Sequence, residues 1–491
     1  MPREDPIAAP APLRLGEFAA TLALAQDNAF GQPLESQLRS CLLATWICEA
    51  AGLGADVRET VYWVSLLRYV GCSVHAHEVA SLFGDDIAIR GQTLVHDAAD
   101  LGEVISDAIA FATAARPPSE HEAVVRLIHE SAGPWVTYNS RSGCEVADML
   151  VERLGFGADV RGALRFSFER WNGNGFPAHA RGEAIPLAMR VVHLSHDMEA
   201  IARRYSPQRA VAAARDRRDR TYDPVLADVF GERGLAWLER LEGLDPWDAV
   251  LALEPQPHRQ LEGDDLDRAL LVVADTVDLK SPSMGGHSRA CARLATAACG
   301  VLGLPADVTA IVRRAALVHD FGITAVSNAI LDKPGRLTRM ERDRIELHPM
   351  MTEQLLRRAP ALALLAPVAS SHHERLDGSG YHRRTRVDPT DTAVTVLAAT
   401  EMYVGMTTPR ADRPPFSPEA AAAELDSLVA RGVLEHRATR AVLLAAGQSA
   451  PGAPSRRRAQ NPGGLSRREL EVLSLAMVGL TVQQVAERLF I

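Results

Sequence analysis

Apolar residues recur three and four positions apart through most of the chain, broken by short Gly/Pro segments, while strand-like alternation is scarce. That pattern predicts a mainly α protein. Two helix starts are explicit. Thr338-Arg339-Met340-Glu341 has the form of a capping box, with the threonine hydroxyl and the glutamate carboxylate taking up free backbone N–H groups. Ser417-Pro418-Glu419 sets a cap before a proline at the first helical position, ahead of an alanine-rich run. No apolar run nears the roughly 18 uninterrupted residues of a membrane helix.

The helical pattern repeats. GLGADVRETVYWVSLLRYVG (52–71) lies over GLPADVTAIVRRAALVHDFG (303–322), shifted by 251 residues without a gap. FERWNGNGFP (168–177) lies over HERLDGSGYH (373–382), shifted by 205, so the first copy carries 46 extra residues between the two landmarks. Two related helical domains follow, over 1–255 and 256–445. A Pro-, Gly- and Arg-rich stretch, 446–464, reads as a flexible linker, and a short helical segment, 465–491, closes the chain.

Composition narrows the class. A chain of 491 residues, 47% hydrophobic and 23% charged, is too long for one ordinary domain and too apolar to be mostly disordered. Its first residues hold acids and no apolar core of 7–15 residues, unlike a signal peptide. Six cysteines without CxxC spacing do not make a disulfide framework, so a cytoplasmic protein is expected. The net charge of −9 argues against a chain-wide grip on nucleic acid. Of 53 basic residues only Lys280 and Lys333 are lysine, a bias that reads as coding background, so Arg456-Arg457-Arg458 is not promoted to a nucleic-acid site.

Candidate chemistry falls in the second copy. Seven potential ligands occur along it: His287, His319, Asp320, His348, His372, His373 and Glu401. Imidazole with carboxylate suits Fe, Mn or Zn, and a ligand set without cysteine argues against a closed structural zinc. His319-Asp320 ends an apolar helix, where both side chains can face one cavity and the carboxylate can bridge two metals. Asp377-Gly378-Ser379-Gly380 forms a turn whose glycines let backbone approach a ligand. The first copy has Arg68-Tyr69 for His319-Asp320, Ser167-Phe168 for His372-His373, and Asn172 for Asp377. It keeps the apolar and glycine positions and loses the ligands. Its His193, His196 and Asp197 are expected to be structural.

The order His287, His319-Asp320, His348, His372-His373-Glu374-x-x-Asp377-Gly378-x-Gly380-Tyr381 resembles the HD-GYP branch of the HD metal-dependent phosphohydrolases, over roughly 265–440; LDKPGRLTRMERDRIELHP (331–349) is similar to the family's intervening segment. The resemblance implies an all-helical fold holding two or three divalent transition metals, Fe or Mn first, with Zn, Mg or Ni also open. His287, His319 and Asp320 would hold one metal, and Asp320, His348, His372 and His373 a second; Asp278 falls near an extra acidic ligand. His319 and Asp320 would be the catalytic pair, and Asp377, Gly378, Gly380 and Tyr381 would contact substrate. The implied reaction is hydrolysis of cyclic di-GMP, another cyclic dinucleotide, or another phosphorylated small molecule, with the metals activating water. Departures are Ile323 at the family's lysine, His382 at the proline of GYP, Thr352 at the glycine of HPxxG, and Glu401 and Val404 at two family aspartates.

LSRRELEVLSLAMVGLTVQQVAERLFI (465–491) resembles the start of a LuxR-type helix-turn-helix domain that stops before its recognition helix. DNA binding is therefore expected only of a longer form. The reading is a metal-dependent phosphohydrolase in bacterial signalling, with no membrane partner and the first copy as a dimerisation or regulatory surface. The alternative is a catalytically weak or inactive nucleotide-sensing transcriptional regulator of the LuxR family.

Overall fold

The computed structural model describes residues 12–448 except Ala115. All but the first residues of the expected linker, and the whole of 465–491, lie outside them. The described residues are 68% helical. One short antiparallel ribbon pairs Leu13–Arg14 with Gln260–Leu261 and joins the starts of the two copies. No described helix is long and apolar enough to cross a membrane.

Helices occupy the repeated stretches at matching positions. Ser36–Ala50 corresponds to His287–Leu302 and Ala55–Leu67 to Ala306–Val318, each beginning 251 residues apart. Leu187–Arg204 corresponds to Thr392–Thr407, beginning 205 apart. Even the left-handed residue before the first of these helices recurs, Glu35 in one copy and Gly286 in the other, both at φ 75°. The extra residues of the first copy build Ala76–Phe83, Asp86–Thr93, Leu101–Ala114 and the N-terminal part of the long helix Pro118–Arg153. Thr338 and Ser417 cap their helices as expected, Thr338 in a full capping box with Glu341.

Close approach explains the shared glycines. A Cβ at Gly322 would lie 2.0 Å from the carbonyl oxygen of His348, and one at Gly71 would lie 2.2 Å from that of Gly143. Both copies therefore press the turn after the Ala306–Val318 or Ala55–Leu67 helix against a second helix, and any side chain there would force them apart.

Residues of both copies enter one continuous hydrophobic core running from Leu13 to Leu443, and the chain up to Ala446 packs as one unit. A buried ion pair also joins them. Lys280 Nζ lies 3.1 Å from Asp86, with both side chains almost wholly buried. Asp86 further accepts hydrogen bonds from Ser327 Oγ (2.8 Å) and the Asn328 N–H (2.7 Å). Burial works to raise the Asp86 pKa, but Lys280 and Arg90 prevail and lower it, while burial also lowers that of Lys280. Removing one partner of such a pair leaves a buried charge uncompensated. Lys280→Met is expected to cost on the order of 3–5 kcal/mol, read as a lower urea midpoint. Adding Asp86→Asn, which keeps the acceptor oxygen, should restore part of it; a midpoint unmoved by Lys280→Met would contradict the assignment.

Candidate metal centre

The expected ligands converge at one end of the second copy. His287 opens the His287–Leu302 helix, and His319 ends Ala306–Val318, with Asp320 leading into the short turn Phe321–Ala325. His348 opens His348–Leu356, His372 and His373 follow Ala366–Ala369, and Glu401 lies in Thr392–Thr407. Thr352 locks the central turn in place: its hydroxyl donates to the carbonyl of His319 and accepts from the N–H of Gly322, both at 2.9 Å. The departure at the HPxxG glycine thus carries a hydroxyl clamp.

Asp320 faces two pairs of imidazoles, one with each oxygen. Oδ2 lies 3.3 Å from His319 Nε2 and 3.7 Å from His287 Nε2. Oδ1 lies 3.1 Å from His348 Nε2 and 3.5 Å from His372 Nε2. The rings of His319, His348 and His372 are fixed from behind, each Nδ1 bonded to the backbone carbonyl three residues earlier: Ala316 (2.9 Å), Ile345 (2.7 Å) and Ala369 (2.6 Å). That bond places a proton on Nδ1 and turns Nε2 inward, the nitrogen that metal-bound histidines offer. His373 stacks on Tyr381 with ring centres 4.4 Å apart, and its Nδ1 lies 3.7 Å from Glu401.

Burial and charge set the protonation. Burial pushes His287 and His372 down to about 3. For His319 burial is outweighed by the Asp320 carboxylate beside it, which lifts the imidazole to about 9. Asp320 itself is held well below its ordinary value, because His319 and the other imidazoles overcome the effect of burial. Burial raises Glu401.

Asp278 is placed differently from an open ligand. It accepts from the Ser288 N–H (3.1 Å) and Oγ (2.7 Å), while burial lifts its carboxyl to about 7. Asp27, 251 residues earlier, accepts from the Gln37 N–H (3.1 Å) in the copy that has no ligands. Holding the start of the following helix is the role common to both. Asp377 is exposed and spends its carboxylate on the Ser379 N–H (2.9 Å). Gly378 is left-handed (φ 78°), and a Cβ at Gly380 would lie 2.3 Å from the His373 carbonyl. Ile323 turns into the core, 4% exposed.

These residues fit metal ions. Among the described residues, the groups whose ligand atoms approach one another closely enough to hold one are His287/Cys291/His319, His319/Asp320/His372 and His348/His372/His373. His319 Nε2 is buried and makes no hydrogen bond, though Asp320 Oδ2 lies 3.3 Å away, a costly state that an ion relieves. Cys291 was not legible as a site residue: its Sγ lies 3.6 Å from His287 Nε2, one helical turn on. Burial keeps its thiol protonated, so it is a poor ligand. Arg375 was missed too; buried, it donates to the carbonyls of His372 and Glu374. The first copy's residues behave as structural: His196 lies between Asp197 (3.2 Å) and the Tyr69 hydroxyl (3.1 Å), and His193 bonds the Ser167 carbonyl (3.1 Å).

Residues 271–432 match the HD domain family. Over 412 residues, 81% of this chain and 87% of the relative, the sequence is 30% identical to 3'3'-cGAMP-specific phosphodiesterase 3 of Vibrio cholerae. A cyclic di-GMP phosphodiesterase of Thermotoga maritima is 34% identical over 116 residues, 23% of this chain and 32% of the relative. The crystal structure of a cyclic GMP-AMP-specific phosphodiesterase of V. cholerae superposes with a TM-score of 0.61 at 23% identity, covering 89% of this chain and 98% of that one. The site and the fold define a metal-dependent phosphohydrolase. The chain belongs to the HD-domain phosphodiesterases, in their HD-GYP branch.

Thr352→Val removes the hydroxyl that satisfies both the His319 carbonyl and the Gly322 N–H. A loss of about 1–3 kcal/mol, together with weaker metal retention on dialysis, is expected. Thr352→Ser should recover both.

Proposed function

We propose that the second copy binds two transition metals, Fe or Mn, and hydrolyses a cyclic dinucleotide, with 3'3'-cGAMP as first candidate. The observation that carries this reading is the division of Asp320 between two imidazole pairs. His287 and His319 would hold one metal with Oδ2, and His348 and His372 the other with Oδ1, His373 and Glu401 completing the set. Bound there, metals would supply Lewis-acid neutralisation of phosphoryl charge and an acidified water. The chain's own part is preorganisation. The Nδ1–H bonds to Ala316, Ile345 and Ala369 fix three rings, the Thr352 clamp holds the Asp320 turn, and burial keeps competing water from the carboxylate.

The choice of 3'3'-cGAMP rests on coverage: the cGAMP-specific relative matches across both copies, whereas the T. maritima cyclic di-GMP relative matches only 23% of the chain. The division into copies at 1–255 and 256–445 is part of the proposal and is supported by the constant helix shifts. With Ile323 buried, positive charge for phosphate falls to Arg410, which acts electrostatically on Glu401 and His287. Ile323 is also what favours a second reading, in which the site senses a nucleotide without turning it over.

Protein purified without air and reconstituted with Fe or Mn is expected to convert 3'3'-cGAMP to a linear dinucleotide faster than cyclic di-GMP, followed by chromatography. Asp320→Ala should lower that rate by on the order of 10³-fold and release metal. Tight binding without product would overturn the enzymatic reading in favour of the sensor. Arg410→Ala is expected to raise KM more than it lowers kcat; the opposite split would place Arg410 outside phosphate binding.

A further inference from the structure

Where the second copy gathers imidazoles, the first holds a pocket of about 360 Å³ that opens to solvent. Four of the replaced positions line it: Arg68 stands for His319, Tyr69 for Asp320, Gly143 for His348 and Phe168 for His373. Its far wall comes from the extra helices of this copy, with Val79, Phe83, Ile105, Ala108 and Ile128 facing inward.

Two buried arginines line the near wall, Arg68 at 4% exposure and Arg170 at 6%. Arg68 Nε and Nη1 and Arg170 Nε have no hydrogen-bond partner. Their remaining bonds go to backbone: Arg68 Nη2 to the Ser167 carbonyl at 3.5 Å and Arg170 Nη1 to that of Glu169 at 2.8 Å. Arg90 also lines the cavity, with Nη1 unpartnered. Asp197 is the one carboxylate among the lining residues, and it is engaged by His196 (3.2 Å) and the Tyr222 hydroxyl (3.0 Å). Glu169 is used by the N–H groups of Ala178 (2.7 Å) and Ala180 (2.8 Å). Asp86, which acts on Arg90, is also bound to Lys280.

A buried guanidinium with unmet donors is costly. An anion with two oxygens meets those donors in a planar fork, and the apolar wall asks for a hydrocarbon body. An engineered cavity of about 150 Å³ takes a benzene ring, so the space here suits an alkyl chain of about ten carbons with its head group. We propose that the first copy is a binding site for an amphipathic organic carboxylate, its head on Arg68 and Arg170 and its chain among Val79, Phe83, Ala108 and Ile128. The loss of metal ligands in this copy is then a change of ligand class.

The test is calorimetric titration of the full chain with decanoate below its micelle concentration, beside decanol. Saturable binding of one equivalent of decanoate is expected, with decanol about tenfold weaker or worse, the worth of a charge-assisted bond. Arg68→Gln should weaken decanoate by a similar factor. Ala108→Phe should abolish binding while leaving metal content and hydrolysis unchanged. Absence of saturable decanoate binding, or equal binding of decanol, would overturn the proposal on the unmodified protein, independently of whether either variant folds. Undiminished binding to a folded Ala108→Phe would also overturn it.

Discussion

A single carboxylate organises the candidate metal centre. Asp320 is buried, yet held ionised by four imidazoles on two sides of it. A charge in that position is tolerable only if each oxygen is met by compensating groups of fixed orientation. The surrounding structure meets that demand. Helix ends deliver the histidines, backbone carbonyls behind three of the rings set their tautomers, and Gly322 and Thr352 bring the two supporting helices into contact. Metals and imidazoles can both satisfy such a carboxylate, and the His319 Nε2 left without a hydrogen bond favours metals.

The other copy shows what the same scaffold does once that demand is lifted. Its helices keep their starts and its Gly71 its close contact, because those depend on packing alone. With Tyr69 at the position of Asp320 there is no buried carboxylate at that point to compensate, and the imidazoles that faced it are gone with it. Arginine and aromatic groups take their places, and the additional helices form the largely apolar wall of a pocket beside them. Each copy is thus organised around a different buried charge: a carboxylate needing cations in one, guanidinium groups short of acceptors in the other.

Much of this was readable from local pattern. Thr338 and Ser417 announce their helices because caps act within a few residues, and the constant shift between copies survives because core positions tolerate little change. The ligand set was legible by residue type and order. What escaped depends on distant segments meeting. Nothing near Lys280 points to Asp86, nearly two hundred residues earlier; nothing near His287 shows that Cys291 turns toward it. Asp278 was legible only as an acid at the right spacing, and its partner Ser288 and its counterpart Asp27 explain it as a support for a helix start. The cavity of the first copy was invisible because its wall is an insertion with no counterpart in the repeat.

The most direct test of the central role of Asp320 is anomalous diffraction at the iron and manganese edges from crystals of the metal-loaded chain. Two peaks about 3.5–4 Å apart, each touching a different oxygen of Asp320, are the predicted result. A single peak, or two that leave one Asp320 oxygen bonded only to protein, would contradict it.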